Sequence, residues 1–199
     1  MGDGPSGPEG GAPSVAARDD LAGVVDLFEW LTREELSRAL SELAYKQRAE
    51  VDDEAIAAAI DVAVAEYALV PAPPAALSEA GAGSASDAVA GSAPDVVADP
   101  ADGADADAVA LAVGPAAFPS LPADAEDLPH ILDVPDRGVD RETLSEAVLE
   151  RLSEDAVAAI GAGDADRLEV LADVTYDIEA WAPVDAGAIR ERIVDELDG

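Results

Sequence analysis

The chain's one histidine, His130, sits in Leu128-Pro129-His130-Ile131-Leu132 and is the natural place to look for proton transfer. A hydroxyl nucleophile needs a base beside it, usually histidine. The apolar neighbours of His130 instead suit a packed structural histidine. With no cysteine, thiolate nucleophiles, disulfides and thiolate metal sites are excluded. A metal would have to rest on carboxylates. Asp99, Asp102, Asp105 and Asp107 around Gly103 have the outline of a calcium loop, but the spacing departs from that of an EF-hand and the closing bidentate glutamate is missing. Gly161-Ala162-Gly163 lacks the third glycine of a dinucleotide fingerprint and the lysine of a P-loop, so it reads as a helix end. Because 44 acidic residues guarantee accidental carboxylate neighbours, such pairs identify no acid–base site. The expectation is a non-enzyme with no catalytic, cofactor-binding or metal-ligating residues.

The 44 acids face 11 bases for a net charge of -33, only one base, Lys46, is a lysine, and the only side-chain amide is Gln47. Nearly half of the chain is hydrophobic (49%), which separates it from disordered acidic proteins. The balance fits a solvent of molar salt, where the Debye length shrinks to about 3 Å and self-repulsion is screened. The charge then describes the solvent, with hydrated cations held non-specifically, and names no partner. No apolar run reaches the roughly 18 residues of a membrane span, and no basic leader precedes the first helix, so the expected location is the cytoplasm.

The elements follow from periodicity. Residues 1–17 are rich in Gly and Pro and read as a disordered leader. An apolar stripe through Leu21, Val24, Val25, Leu27, Phe28 and Leu31 predicts a helix from Asp19-Asp20 to near Trp30. Thr32 and Glu35 form the capping box of a second helix running to about Ala49, with Glu34–Arg38 and Glu42–Lys46 as solvated i,i+4 pairs. Asp52 or Asp53 caps a third helix with Ile56, Ile60, Ala63, Val64 and Tyr67 inside. Residues 67–71 read as a strand halted by Pro71, and residues 108–113 as a second strand pairing antiparallel with it. Between them, residues 73–106 carry no basic residue and read as a disordered acidic insertion rich in Ala, Gly, Pro and Asp.

Residues 114–136 read as an extended apolar segment laid across the domain. Helices then start at Asp140, Asp164 and Asp185, the first ending at Gly161 to Gly163, with Tyr176, Ile178 and Trp181 as an aromatic knot before Pro183. The expected fold is mostly α with a small antiparallel β-hairpin. It comprises a winged-helix-like module over residues 18–72 and 107–136, interrupted by the insertion, and a C-terminal helical region over residues 137–199 packed on it.

In a winged helix the third helix reads DNA. Between Val51 and Leu69 that helix offers Asp52, Asp53, Glu54, Asp61 and Glu66, and no Arg, Lys, Asn, Gln, Ser or Thr to meet a base edge. Counterion release gives little in molar salt, so a basic patch is dispensable there, but base-reading donors are not. Arg33, Arg38, Lys46 and Arg48, on or just past the second helix, are the candidate nucleic-acid contacts of the alternative reading, a DNA-binding transcriptional regulator. The leading reading is a protein-facing regulatory adaptor that binds an unknown protein partner or itself.

Four stretches, Asp26-Leu-Phe-Glu-Trp-Leu-Thr-Arg-Glu-Glu-Leu36, Leu111-Ala-Val-Gly-Pro-Ala-Ala-Phe-Pro119, Leu128-Pro-His-Ile-Leu-Asp-Val-Pro-Asp136 and Tyr176-Asp-Ile-Glu-Ala-Trp-Ala-Pro-Val184, resemble an uncharacterised family of haloarchaeal proteins. The resemblance covers most of residues 19–197 and leaves the acidic insertion outside the matching blocks. It implies a salt-adapted source and brings no catalytic residues.

Overall fold

The computed structural model describes residues 15–49, 51–79 and 108–198. The expected disordered insertion beyond Glu79, the calcium-like aspartates and residues 1–14 of the expected leader lie outside those residues. Seven helices and five short strands follow in the order α1 (Val15–Asp26), β1 (Trp30–Thr32), α2 (Arg33–Lys46), α3 (Asp53–Ala65), β2 (Leu69–Pro71), β3 (Leu77–Glu79), β4 (Ala110–Val113), α4 (Leu128–Leu132), β5 (Arg137–Val139), α5 (Arg141–Ala162), α6 (Ala165–Trp181) and α7 (Gly187–Leu197). The architecture is mostly helical with small antiparallel sheets, as the periodicity predicts.

The pairing of β2 with β4 is antiparallel, Leu69 opposite Val113 and Pro71 opposite Leu111. The expected hairpin is, however, part of a three-stranded sheet of order β1-β4-β2, because Trp30 to Thr32 pair with Ala112 to Ala110 on the other side. The first helix therefore stops at Asp26 and not near Trp30, and it starts at Val15, inside the expected leader. Glu29, in the left-handed region at φ 67°, turns the chain between α1 and β1.

Alternation along the strands divides the core. Leu31, Leu69, Leu111 and Val113 join the apolar core formed with α1, α2 and α3. Their neighbours Trp30, Val70, Ala110 and Ala112 join a second core formed with α5, α6 and α7. All four residues of β4 are buried, since helices cover both faces of the sheet. Such a strand reads as an unbroken apolar run, which explains the lack of polar alternation in Ala110-Leu111-Ala112-Val113.

Helix ends obey local chemistry. Thr32 Oγ1 accepts from Glu35 N at 3.2 Å while Glu35 Oε2 accepts from Thr32 N at 2.8 Å, the expected capping box. Asp52, Asp140 and Asp164 accept from the backbone three residues on, and Gly163 closes α5 in the left-handed region. Asp185 is displaced by one residue from its expected role: Ala186 is the N-cap of α7, and Asp185 Oδ1 accepts from Gly187 N at 2.8 Å. α2 stops at Lys46, short of Ala49, because Arg48 turns left-handed at φ 56° and Ala49 N donates back to Ala44 O. That is a Schellman ending, and Tyr67 at φ 61° ends α3 the same way, with Ala68 N donating to Ala63 O.

Tyr67 ties the two helical layers together. Its ring is fully buried, and its hydroxyl donates to Asp155 Oδ2 on α5 at 2.8 Å. Arg167 of α6 grips the same carboxylate at 2.9 Å and donates to Ala65 O, while Arg151 of α5 stacks on the Tyr67 ring and donates to Val64 O. Two guanidinium groups thus satisfy the carbonyls at the C-terminus of α3, where the helix dipole favours positive charge. Burial, followed by the hydrogen bond to Asp155 and its charge, pushes the Tyr67 phenol far above its ordinary range.

A second tie was hidden inside the expected insertion. β3 pairs antiparallel with β5, Leu77 opposite Val139 and Glu79 opposite Arg137, so residues 77–79 are ordered sheet and not acidic linker. Arg137, with a side chain only 5% exposed, stacks on Trp30 at 3.8 Å and holds both oxygens of Glu35 at 2.8 Å. Its Nε lies 3.3 Å from Glu79 Oε1, off the hydrogen-bond axis. Residues 114–136 likewise depart from a purely extended segment, folding into α4 with Leu128 and Leu132 buried. Tyr176, Ile178 and Trp181 lie within α6, where Tyr176 is exposed.

Two consequences are measurable. Gly23 of α1 faces the backbone of Ser120, whose N–H donates to Asp19 O, and a Cβ there would overlap the Ser120 carbonyl. Gly→Ala inside a helix ordinarily stabilises by roughly 0.5–1 kcal/mol. Gly23→Ala is expected to destabilise instead, by about 1–3 kcal/mol of overpacking, in urea unfolding at molar KCl; a gain in stability would contradict the close approach. For Glu35, burial favours the neutral acid, but the hydrogen bonds from Arg137 and Thr32 and the charge of Arg137 overcome it and hold the carboxyl below its usual range. A depressed folded-state pKa stabilises above the ordinary glutamate range, and the gain vanishes as pH falls through the depressed value. Glu35→Gln is therefore expected to cost about 1–3 kcal/mol at neutral pH, with the gap to wild type closing on acidification, followed as melting temperature against pH. A gap independent of pH would contradict it.

Candidate functional site

An apolar groove lies between the C-terminal half of α2 and the N-terminal half of α3. Leu40, Leu43, Ala44 and Gln47 recur at helical spacing along one wall, and Ala55, Ile56 and Ala59 form the other. Asp20 and Leu21 of α1 and the adjoining Leu121, Pro122 and Ala123 complete the lining of a groove of about 580 Å³. That last segment is pinned to α2: Gln47 Nε2 donates to Ala123 O at 2.9 Å, and Lys46 Nζ reaches Asp127 at 3.1 Å and Asp124 O at 3.3 Å. Large apolar side chains stand exposed on the same elements or beside them, Tyr45 at 82%, Phe118 at 78% and Val51 at 48%.

The four candidate nucleic-acid contacts separate into two kinds. Arg33 is tied down by Asp61 of α3 at 2.5 Å and donates to Ala57 O, and Lys46 is held as above. Arg38 and Arg48 are exposed and, among the described residues, meet no carboxylate. The expected pairs Glu34–Arg38 and Glu42–Lys46 do not form, since Asp127, from a neighbouring element, takes Lys46 and leaves Glu42 without it. The outward face of α3 carries Glu54, Ala55, Ala58, Asp61 and Ala65, small or acidic side chains throughout.

A family model, the Family of unknown function (DUF7109), matches residues 19–198. The chain belongs to DUF7109. Neither the curated proteins nor the solved structures yield a match.

In this DUF7109 protein His130 stands exposed on α4 and away from the lining of the groove between α2 and α3, contrary to the packed histidine its apolar neighbours suggest. Leu128 and Leu132 turn inward one helical turn apart and carry His130 outward between them. Asp173 and Asp177 lie one turn apart on α6. Burial and then the Asp173 charge raise the Asp177 carboxyl. Among the described residues no three His, Asp or Glu side chains gather as a metal set, and no helix is long and apolar enough to cross a membrane.

The groove is not legible from sequence because its wall residues are the same leucines and alanines that predict core packing; the one signal is the small size of Ala55 and Ala59, the α3 residues on either side of Ile56 that line it. The placement of His130 has a direct check. His130→Ala is expected to shift unfolding free energy by no more than about 0.5 kcal/mol, as for a surface position. A loss of several kcal/mol in denaturant titration would show it packed.

Proposed function

We propose that this protein is a non-enzymatic interaction adaptor of a salt-adapted cytoplasm, and that the groove between α2 and α3 is its docking surface. The observation that carries this reading is the groove itself, apolar on both walls and flanked by exposed Tyr45 and Val51, because an open apolar surface of this kind marks contact with another macromolecule. The haloarchaeal source is part of the same proposal, supported by the charge of -33 and the single lysine.

We read residues 18–72 and 107–136 as a winged-helix-like module. The element order α1-β1-α2-α3-β2-β4 and the strand order β1-β4-β2 support it, with α3 in the place of the recognition helix. Residues 137–199 buttress the face of the sheet away from α1 to α3. A DNA-binding transcriptional regulator is the second reading, favoured by the exposure of Arg38 and Arg48 alone. Against it stands an α3 surface without a hydrogen-bond donor for a base edge.

The test blocks the groove without disturbing the core. Ala55 is exposed on α3 and lines the groove, so Ala55→Trp fills the space at unchanged fold, verified by circular dichroism. Affinity capture in molar KCl is expected to retain a partner protein with wild type and lose it with Ala55→Trp. Equal recovery by both would contradict the groove, and defined genomic binding sites lost on replacing Arg38 and Arg48 would establish the regulator instead.

A further inference from the structure

The ribbon of β3 and β5 is weakly held by its own ladder. Each strand has 3 residues, none of them buried as a whole, and a two-stranded ribbon of that size is marginal in water. The first turn of α2 is in a similar position: Thr32, Arg33, Glu34 and Glu35 all keep contact with solvent, and the capping box closes the turn. These two segments meet at one carboxylate, although Arg137 and Glu35 stand 102 residues apart in the chain. Glu35 Oε2 accepts from Thr32 N at 2.8 Å and from Thr32 Oγ1 at 3.0 Å, and also from Arg137 Nη1 at 2.8 Å, while Oε1 accepts from Arg137 Nη2 at 2.8 Å. Trp30 fastens the same joint. Its carbonyl accepts from Arg137 Nη1 at 3.1 Å, and its indole N–H donates to Ser78 O of β3 at 3.4 Å. Just past the ladder, Asp140 N donates to Ala76 O at 2.7 Å.

We infer that the β3–β5 ribbon and the first turn of α2 form a single latch that opens and closes as one unit, with Glu35 as the bond they share. Arg137 is the reason the two do not part independently. Its side chain is only 5% exposed, so a guanidinium deprived of Glu35 would stay buried with its charge unanswered, and that cost draws it off its seat on Trp30. Glu79 is no substitute, because it approaches only Nε and off the hydrogen-bond axis. In the other direction, Glu35 without Arg137 loses the two hydrogen bonds that fix both of its oxygens, and a freely rotating carboxylate no longer holds the Thr32 N–H. Loosening at either end is therefore passed to the other, and the coupling is reciprocal. The latch is a local unit of low stability set against two well-buried cores, and it works whatever the groove binds.

Hydrogen exchange of the full-length protein in molar KCl, resolved by NMR at single amides and at the two indoles, tests the latch with one change at each end. Thr32→Ala removes the cap hydroxyl and leaves every ribbon residue in place. It is expected to speed exchange at the Asp140 amide and the Trp30 indole by about tenfold, the factor for roughly 1.4 kcal/mol of lost capping. Thr32→Ser keeps the hydroxyl and is expected to exchange as wild type does at both. Arg137→Gln, made on the ribbon, is expected to speed the Thr32 and Glu35 amides by a similar factor; should that variant fail to fold, the two Thr32 variants alone decide. The indole of Trp181, on α6, is the reference and is expected to stay unchanged throughout. If Thr32→Ala quickens only the first turn of α2, the two segments open separately and the latch is overturned. Equal quickening at the Trp181 indole would overturn it as well, because the whole fold would then be opening.

Discussion

Everything in this fold leans on a sheet of three short strands buried on both faces. β4 supplies the middle, four residues long, and takes hydrogen bonds from β1 on one side and β2 on the other. Its alternate side chains enter two different cores, Leu111 and Val113 toward α1 to α3 and Ala110 and Ala112 toward α5 to α7. Backbone groups sealed in that way have no water to turn to, so pairing in the ladder is obligatory, and the register that satisfies it also sets which helices face which core. The small residues on one face and the larger ones on the other follow from the same constraint: Ala110 and Ala112 leave room for Trp30 and the C-terminal helices.

Around that wall the two helical layers are locked by arginines, not by length of chain contact. Arg151 and Arg167 reach across from α5 and α6 to the end of α3, and Arg137 reaches from β5 to Trp30 and Glu35. In a chain with four acids for every base such bridges are selective, since carboxylates abound and the position of each guanidinium decides which one is used. Tyr67 illustrates the cost. A non-glycine residue in the left-handed region is disfavoured by roughly 1–2 kcal/mol. It persists because the buried ring, the hydroxyl bond to Asp155 and the stacked Arg151 fix it from three directions.

The legible part of the fold was the part governed by neighbours in sequence. Thr32 with Glu35, the caps at Asp52, Asp140 and Asp164 and the glycine end of α5 all follow from local rules, and β2 and β4 stand out as apolar runs bounded by Pro71 and Gly114. The rest depended on residues far apart. β1 hid in the tail of an apolar helical stripe because three residues carry no period of their own. β3 looked like linker because its ladder partner lies some sixty residues on, at Arg137 to Val139. Helical spacing pairs Lys46 with Glu42 one turn away, yet Lys46 meets Asp127, since a partner on another element competes on equal terms once the chain has folded. The groove belonged to the same class: no single helix announces a gap between two.

The claim with most resting on it is that the surface between α2 and α3 faces another protein. Amide hydrogen exchange of the chain in molar KCl, alone and with a captured partner, tests it most directly. Slowed exchange concentrated in residues 40–47 and 55–59, with the far side of the C-terminal helices unchanged, is the result this account requires. Protection confined to other surfaces, or appearing on α3 only when duplex DNA is added, would contradict it.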